Sequence, residues 1–207
     1  MKNKIQFVIL TALLFTLVFS GCKEIPEMDD TIAATVGTRS VSSEEVISRI
    51  KFDAILTEKS VSISELIKDY IEEQELIDRL KGTEYDLSKT YDDYYREAEE
   101  NYRAHEAERQ REIRQYSEKY GIDYSEEECI FFDARFQMYA EASGKYVLLF
   151  YDAHKEELEN MTIDEVMDAL YQHLETFRPA SEKIRFNEKV TAQIISEFRE
   201  MGITVER

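Results

Sequence analysis

The 207-residue sequence has no tryptophan, two prolines, six glycines, two cysteines and three histidines. So little glycine and proline argues against β-sandwiches, barrels and glycine-rich nucleotide-binding folds, which depend on many tight turns. Positive charge is also scarce: 26 Lys and Arg stand against 44 Asp and Glu, a formal net charge of −18. A protein that tracks nucleic-acid phosphates needs a basic face, so nucleic acid is not an expected partner. What the chain does have is 43% hydrophobic residues, including 13 Tyr and 11 Phe. That is enough to build the core of one ordinary domain and excludes global disorder.

Met1–Lys4 is a short basic segment, followed by an apolar run over 5–19 that only Gln6, Thr11 and Thr16 interrupt. The run is shorter than the roughly 20 residues of a membrane span and suits the core of a signal peptide. It ends in Phe19-Ser20-Gly21-Cys22. Small residues directly before a cysteine resemble the lipobox of bacterial lipoproteins, although Phe19 stands where Leu is usual. The resemblance implies cleavage before Cys22, a diacylglyceryl group on its sulfur and acylation of the new terminus. More than one acyl chain gives stable anchoring, whereas one gives marginal binding. An uncleaved anchor or a plain secretory signal are the alternatives. The expected organisation is a signal peptide over 1–21, a tether over 22–30 and a folded domain over 31–207, held at the extracytoplasmic face of the cell membrane. Once Cys22 is acylated, Cys129 has no partner for a disulfide. Three glutamates precede it, so a buried inert thiol is expected rather than a reactive one.

The periodicity predicts a mostly α protein: a helical body with a small antiparallel β element formed by the N- and C-terminal strands. Residues 31–36 read as a strand, 37–39 as a turn and 40–42 as its return. Ser42 or Ser43 caps a helix with the stripe Val46, Ile47, Ile50, Ala54 and Ile55. A second helix starts near Ser62 or Ser64 and stops at Gly82. A long helix is expected over about 87–120, with Tyr91, Tyr94, Tyr95, Ala98, Tyr102, His105, Arg109, Ile113, Tyr116 and Tyr120 three or four apart. Another runs over about 126–160, Thr162 caps a shorter one, and Pro179 opens a last helix carrying Ile184, Phe186, Val190, Ile194, Ile195 and Phe198. Residues 203–205 are read as a closing strand that pairs with 33–36.

Ala34–Val46 (ATVGTRSVSSEEV) resembles the opening of the SurA/PrsA-type chaperones, in which a strand, a turn and a return lead into a Ser/Thr-capped helix. Leu66–Ile77 is similar to the family's next helix, Tyr120–Glu127 to its Gly-Ile-x-x-Ser-x-x-Glu junction, and Met201–Glu206 to its closing strand. The turn lacks the family's Asn-Gly. Its glycine-rich parvulin module is missing as well, since only Gly121 and Gly144 occur between Gly82 and Gly202. The resemblance therefore implies a chaperone-type scaffold without peptidyl-prolyl isomerase activity.

Catalytic patterns are wanting. A di-iron bundle needs Glu three residues before His, but Tyr102, Tyr151 and Leu170 precede His105, His154 and His173. His105-Glu106-Ala107-Glu108 begins like a zincin helix, yet Arg109 replaces the second His. Asp86, Ser88, Thr90 and Glu97 fall at EF-hand offsets, but Tyr91 occupies the glycine position. No enzyme, cofactor or metal site is expected. Tyrosine offers a flat apolar face with a polar tip, which suits both a wet helical core and a groove for varied partners. Tyr91, Tyr94, Tyr95 and Tyr102 are the candidate peptide-binding residues. The expected function is a chaperone-like holdase for unfolded or extended polypeptide; the alternative is a non-catalytic adaptor or assembly factor for one cell-envelope protein.

Overall fold

The computed structural model describes residues 28–56 and 60–207. The signal segment, Cys22 and most of the tether lie outside the described residues. The elements run β1 (Ile32–Val36), β2 (Arg39–Ser42), α1 (Ser43–Leu56), β3 (Ser60–Ser62), α2 (Ile63–Leu80), α3 (Tyr91–Ala104), α4 (Glu106–Tyr120) and α5 (Glu126–Ala153). They continue with α6 (Lys155–Leu158), α7 (Ile163–Glu175), β4 (Ile184–Phe186), α8 (Glu188–Glu200) and β5 (Thr204–Glu206). The protein is mostly α, as the periodicity predicts.

Helix starts follow capping chemistry. The side chains of Thr90, Ser125 and Thr162 each accept from the backbone of the residue three places on. Asp93, Glu128 and Glu165 return the bond, closing capping boxes on α3, α5 and α7. Ser42 accepts from the Glu45 N–H at 3.1 Å to start α1. Gly37, at φ +60°, makes the β1–β2 turn, and Gly121, at φ +68°, ends α4 in the left-handed conformation that glycine adopts without strain.

Four expectations need correction. The helix expected over 87–120 starts at Tyr91 and breaks at His105, whose backbone (φ −121°, ψ 24°) leaves helical geometry between α3 and α4. Beyond Ala104 no large apolar residue recurs before Ile113, so nothing holds the second half on the line of the first. The helix expected to reach 160 stops at Ala153, with one short turn, α6, after it. Ile184 and Phe186 are strand: Ile184 is buried and Arg185 exposed, a period of two, and Asn187 caps α8 by accepting from the Val190 N–H. That strand, not the last one, completes the three-stranded antiparallel sheet β2-β1-β4. The closing strand β5 instead pairs in parallel with β3, Val205 opposite Val61.

Three clusters form the core. The largest packs the sheet, α1, the first half of α2, α8 and Ile122 and Tyr124 of the α4–α5 connection. A second joins Leu76 and Leu80 of α2 to Ala142, Tyr146 and Phe150 of α5 and Leu170 of α7. The third is the α3–α5 seam of Tyr94, Ala98, Tyr102, Ile130 and Ala134.

Two histidines sit where α7 closes on α5. The Tyr146 hydroxyl lies 2.9 Å from His173 Nε2, and the His173 ring is 5.9 Å from that of His154. Burial, with the charges of His154 and Arg79 beside it, holds His173 below its ordinary value of 6.5. The unfolded chain then binds more protons than the folded one below that value, so this contribution to stability is present above pH 6.5 and is lost as pH falls through it. Between about pH 7.5 and about pH 5.5, the melting temperature of the full chain should therefore fall further than that of His173→Gln. Equal losses by calorimetry would assign the acid sensitivity to other groups.

Candidate functional site

The candidate tyrosines lie on α3, but they do not open together into a groove. Tyr94 is 1% exposed and Tyr102 2%. Both rings pack against Ile130 and Ala134 of α5, and the Tyr94 hydroxyl donates to Glu141 at 2.9 Å. Tyr91 is half-buried against Phe131, its ring 6.2 Å away, and burial pushes its hydroxyl up to about 12. Tyr95 is half-buried and borders a hollow with Ile47 and Phe131. The stripe is thus the seam between α3 and α5. Of the four, Tyr102 also reaches the wall of a cleft.

That cleft, about 890 Å³ with its mouth included, lies among α1, α4, α5 and the α4–α5 connection. Phe52, Tyr102, Ile113, Tyr116, Tyr124, Cys129 and Phe132 supply its apolar wall. Phe52 and Phe132 stack with ring centroids 3.8 Å apart, and Tyr124 tilts against Phe52 at 5.5 Å. The Tyr124 hydroxyl donates to the Lys51 carbonyl at 2.8 Å, while Lys51 Nζ bonds the Asp123 carbonyl at 3.0 Å and Glu128 at 2.5 Å. These bonds clamp the α4–α5 connection onto the end of α1, which fixes one side of the cleft.

The polar rim is Arg109, Glu112 and Asp133. Arg109 faces both carboxylates, Glu112 at 3.3 Å and Asp133 at 3.5 Å. Burial pushes the Asp133 carboxyl up; Arg109 pulls it back and Glu112 adds to the rise. Cys129 is half-buried rather than buried, and burial, with Asp133 and Glu128 nearby, raises its thiol to about 11. Helix α4 overhangs the mouth and buries no residue fully. Among the described residues no group of His, Cys, Asp and Glu is arranged to hold a metal ion, and no helix is long and apolar enough to cross a membrane.

Sequence periodicity located Ile113, Tyr116 and Phe132 but not the cleft they share. Phe52 stands off the main stripe of α1 and Tyr124 lies in a connection, so neither belongs to a repeating face. An aromatic residue displaced from its helix's stripe was the available signal. Set against protein-family models, curated proteins and solved structures, the chain matches none.

Because Tyr94 is sealed in the seam, Tyr94→Ala should cost roughly 3–5 kcal/mol, the range for a large aromatic removed from a core. Tyr95→Ala, at a half-buried position, should cost clearly less in urea unfolding. Equal costs would mean that the seam is not packed as described.

Proposed function

We propose that the chain is a lipid-anchored, extracytoplasmic, non-catalytic polypeptide binder, acting as a holdase for unfolded or extended segments. The observation that carries this reading is the aromatic cleft under α4: an apolar wall wide enough for a large side chain, with charge confined to its rim. Apolar pockets with a few polar groups at the edge are the usual form of binding sites. The acidic surplus of the chain, −18 overall, favours basic segments over acidic ones. The anchor rests on the Ser20-Gly21-Cys22 junction, and Cys22→Ala should leave an unprocessed precursor that takes up no labelled fatty acid.

The full chain should suppress aggregation of several unrelated basic proteins during refolding. Ile113→Ala combined with Tyr116→Ala trims the exposed side of the cleft and should weaken client binding by about tenfold or more, the scale of one interface hot spot. Alkylation of Cys129, slow in the free protein, should slow further when client is bound. Undiminished binding by the double variant, or protection of one partner alone, would overturn the holdase reading.

A further inference from the structure

One face of α5 stays open to solvent from Phe136 to Tyr151. At 100° per residue, Cys129, Phe132, Phe136, Ala140, Val147 and Tyr151 fall within about 60° of one line along the helix. Phe136 is 62% exposed. Ala140, Gly144, Val147 and Tyr151 are exposed too. Elsewhere on the helix Ile130 and Ala134 meet α3, while Ala142, Tyr146 and Phe150 enter the second core cluster, Phe150 closing one edge of the row. Scattered exposed apolar side chains are ordinary, whereas a contiguous row marks a contact surface.

The row begins in the cleft. Phe132 stacks on Phe52 inside it and on Phe136 outside it, the latter pair 6.5 Å apart and 16° from parallel. From Cys129 to Tyr151 the helix rises about 33 Å at about 1.5 Å per residue. Its flanks are acidic. Glu112 and Asp133 rim the cleft around Arg109, and on the other side of Phe132 a second hollow carries Asp53, Asp69 and Glu72 around Arg178, an excess of carboxylates on both sides. Farther along, Lys145 is paired with Glu141 at 3.0 Å. A second copy of this chain would set acidic flank against acidic flank, which disfavours self-association.

We propose that the cleft and the exposed face of α5 form one continuous track for a basic amphipathic helix of another protein, with apolar side chains at three- and four-residue spacing on the track and Lys or Arg against its flanks. This rests on the reading of the cleft as a polypeptide site and gives the bound segment its shape. The helical form follows from the track itself. The backbone of α5 is satisfied internally and offers no edge for an added strand, whereas a helix places side chains along the row turn for turn. A client segment that coils on contact would satisfy its own backbone in the same way.

The test uses the full chain and a labelled peptide of Leu, Phe and Lys, about 22 residues long, with helical amphipathic order. Controls are the same composition permuted to remove the amphipathic face, and a version with Glu for Lys. The amphipathic basic peptide should bind about tenfold or more tighter than either control, and Phe136→Ser with Val147→Ser should reduce that affinity by a similar factor. Both positions are exposed, so circular dichroism of the variant should match the parent. Equal affinity for the permuted peptide, or full affinity in the variant, would overturn the track. Sedimentation of the full chain as a dimer that the same two substitutions dissociate would overturn it too, by making a second copy the occupant. Loss of unfolded-client binding in the Ile113/Tyr116 variant with no effect of Phe136/Val147 on either ligand would retain the cleft and reject the track alone.

Discussion

Two arginines and two glutamates buried where α1, α2 and α5 meet hold the architecture in register. Arg49 of α1 places two nitrogens on Glu73 of α2 and a third on Glu45, 2.5 Å away. Arg135 of α5 reaches both carboxylates. Both guanidinium groups lie over the Tyr70 ring, Arg49 at 5.4 Å and Arg135 at 5.1 Å from its centroid. Burial works against the Arg49 charge, and Glu73 and Glu45 more than offset it, so its value lies above the ordinary one. Such a cluster adds little net stability compared with an apolar replacement, but loss of one member strands a buried charge at a cost of about 3–5 kcal/mol. Its geometry also reaches the site. Phe52 stands one turn beyond Arg49 and Phe132 one turn before Arg135, so the bonds that lock the helices together also set the ring stack at the cleft.

The cleft therefore has a rigid wall and a loose one. The α1–α5 side is fixed by the ion cluster, by Lys51 and by the Tyr124 hydroxyl. The α4 side is a 15-residue helix without a side-chain N-cap and with no fully buried residue. A helix of that length is marginal in water unless tertiary contacts hold it. Here those contacts are Ile113 and Tyr120, half-buried against the core, and Arg109 with Asp133. Segments with few buried apolar contacts belong to the least stable parts of a protein, which is where binding surfaces that adapt to varied partners are found.

Helix content and most caps were legible because each depends on residues within a few places of one another. Thr162 with Glu165 and Ser125 with Glu128 announce their helix starts locally. Strand partners were not legible: three-residue strands such as β4 and β5 carry almost no pattern, and their pairing depends on where distant helices deposit them. The break at His105 was hidden because the tyrosine spacing continues through it to Tyr116 and Tyr120. The site was half legible. Ile113, Tyr116 and Phe132 appear in the helical stripes, but a cleft is made by three helices and a connection meeting, and a stripe of tyrosines reads the same whether it faces a neighbour or a ligand.

Amide hydrogen exchange of the full chain, followed by mass spectrometry with and without an unfolded basic client, tests the account most directly. Amides of α4 should exchange fast in the free protein and slow when client is added, with α7 and the β2-β1-β4 sheet unchanged. Slowing confined to α7 or the sheet, or no slowing in α4 at client concentrations that saturate binding, would contradict it.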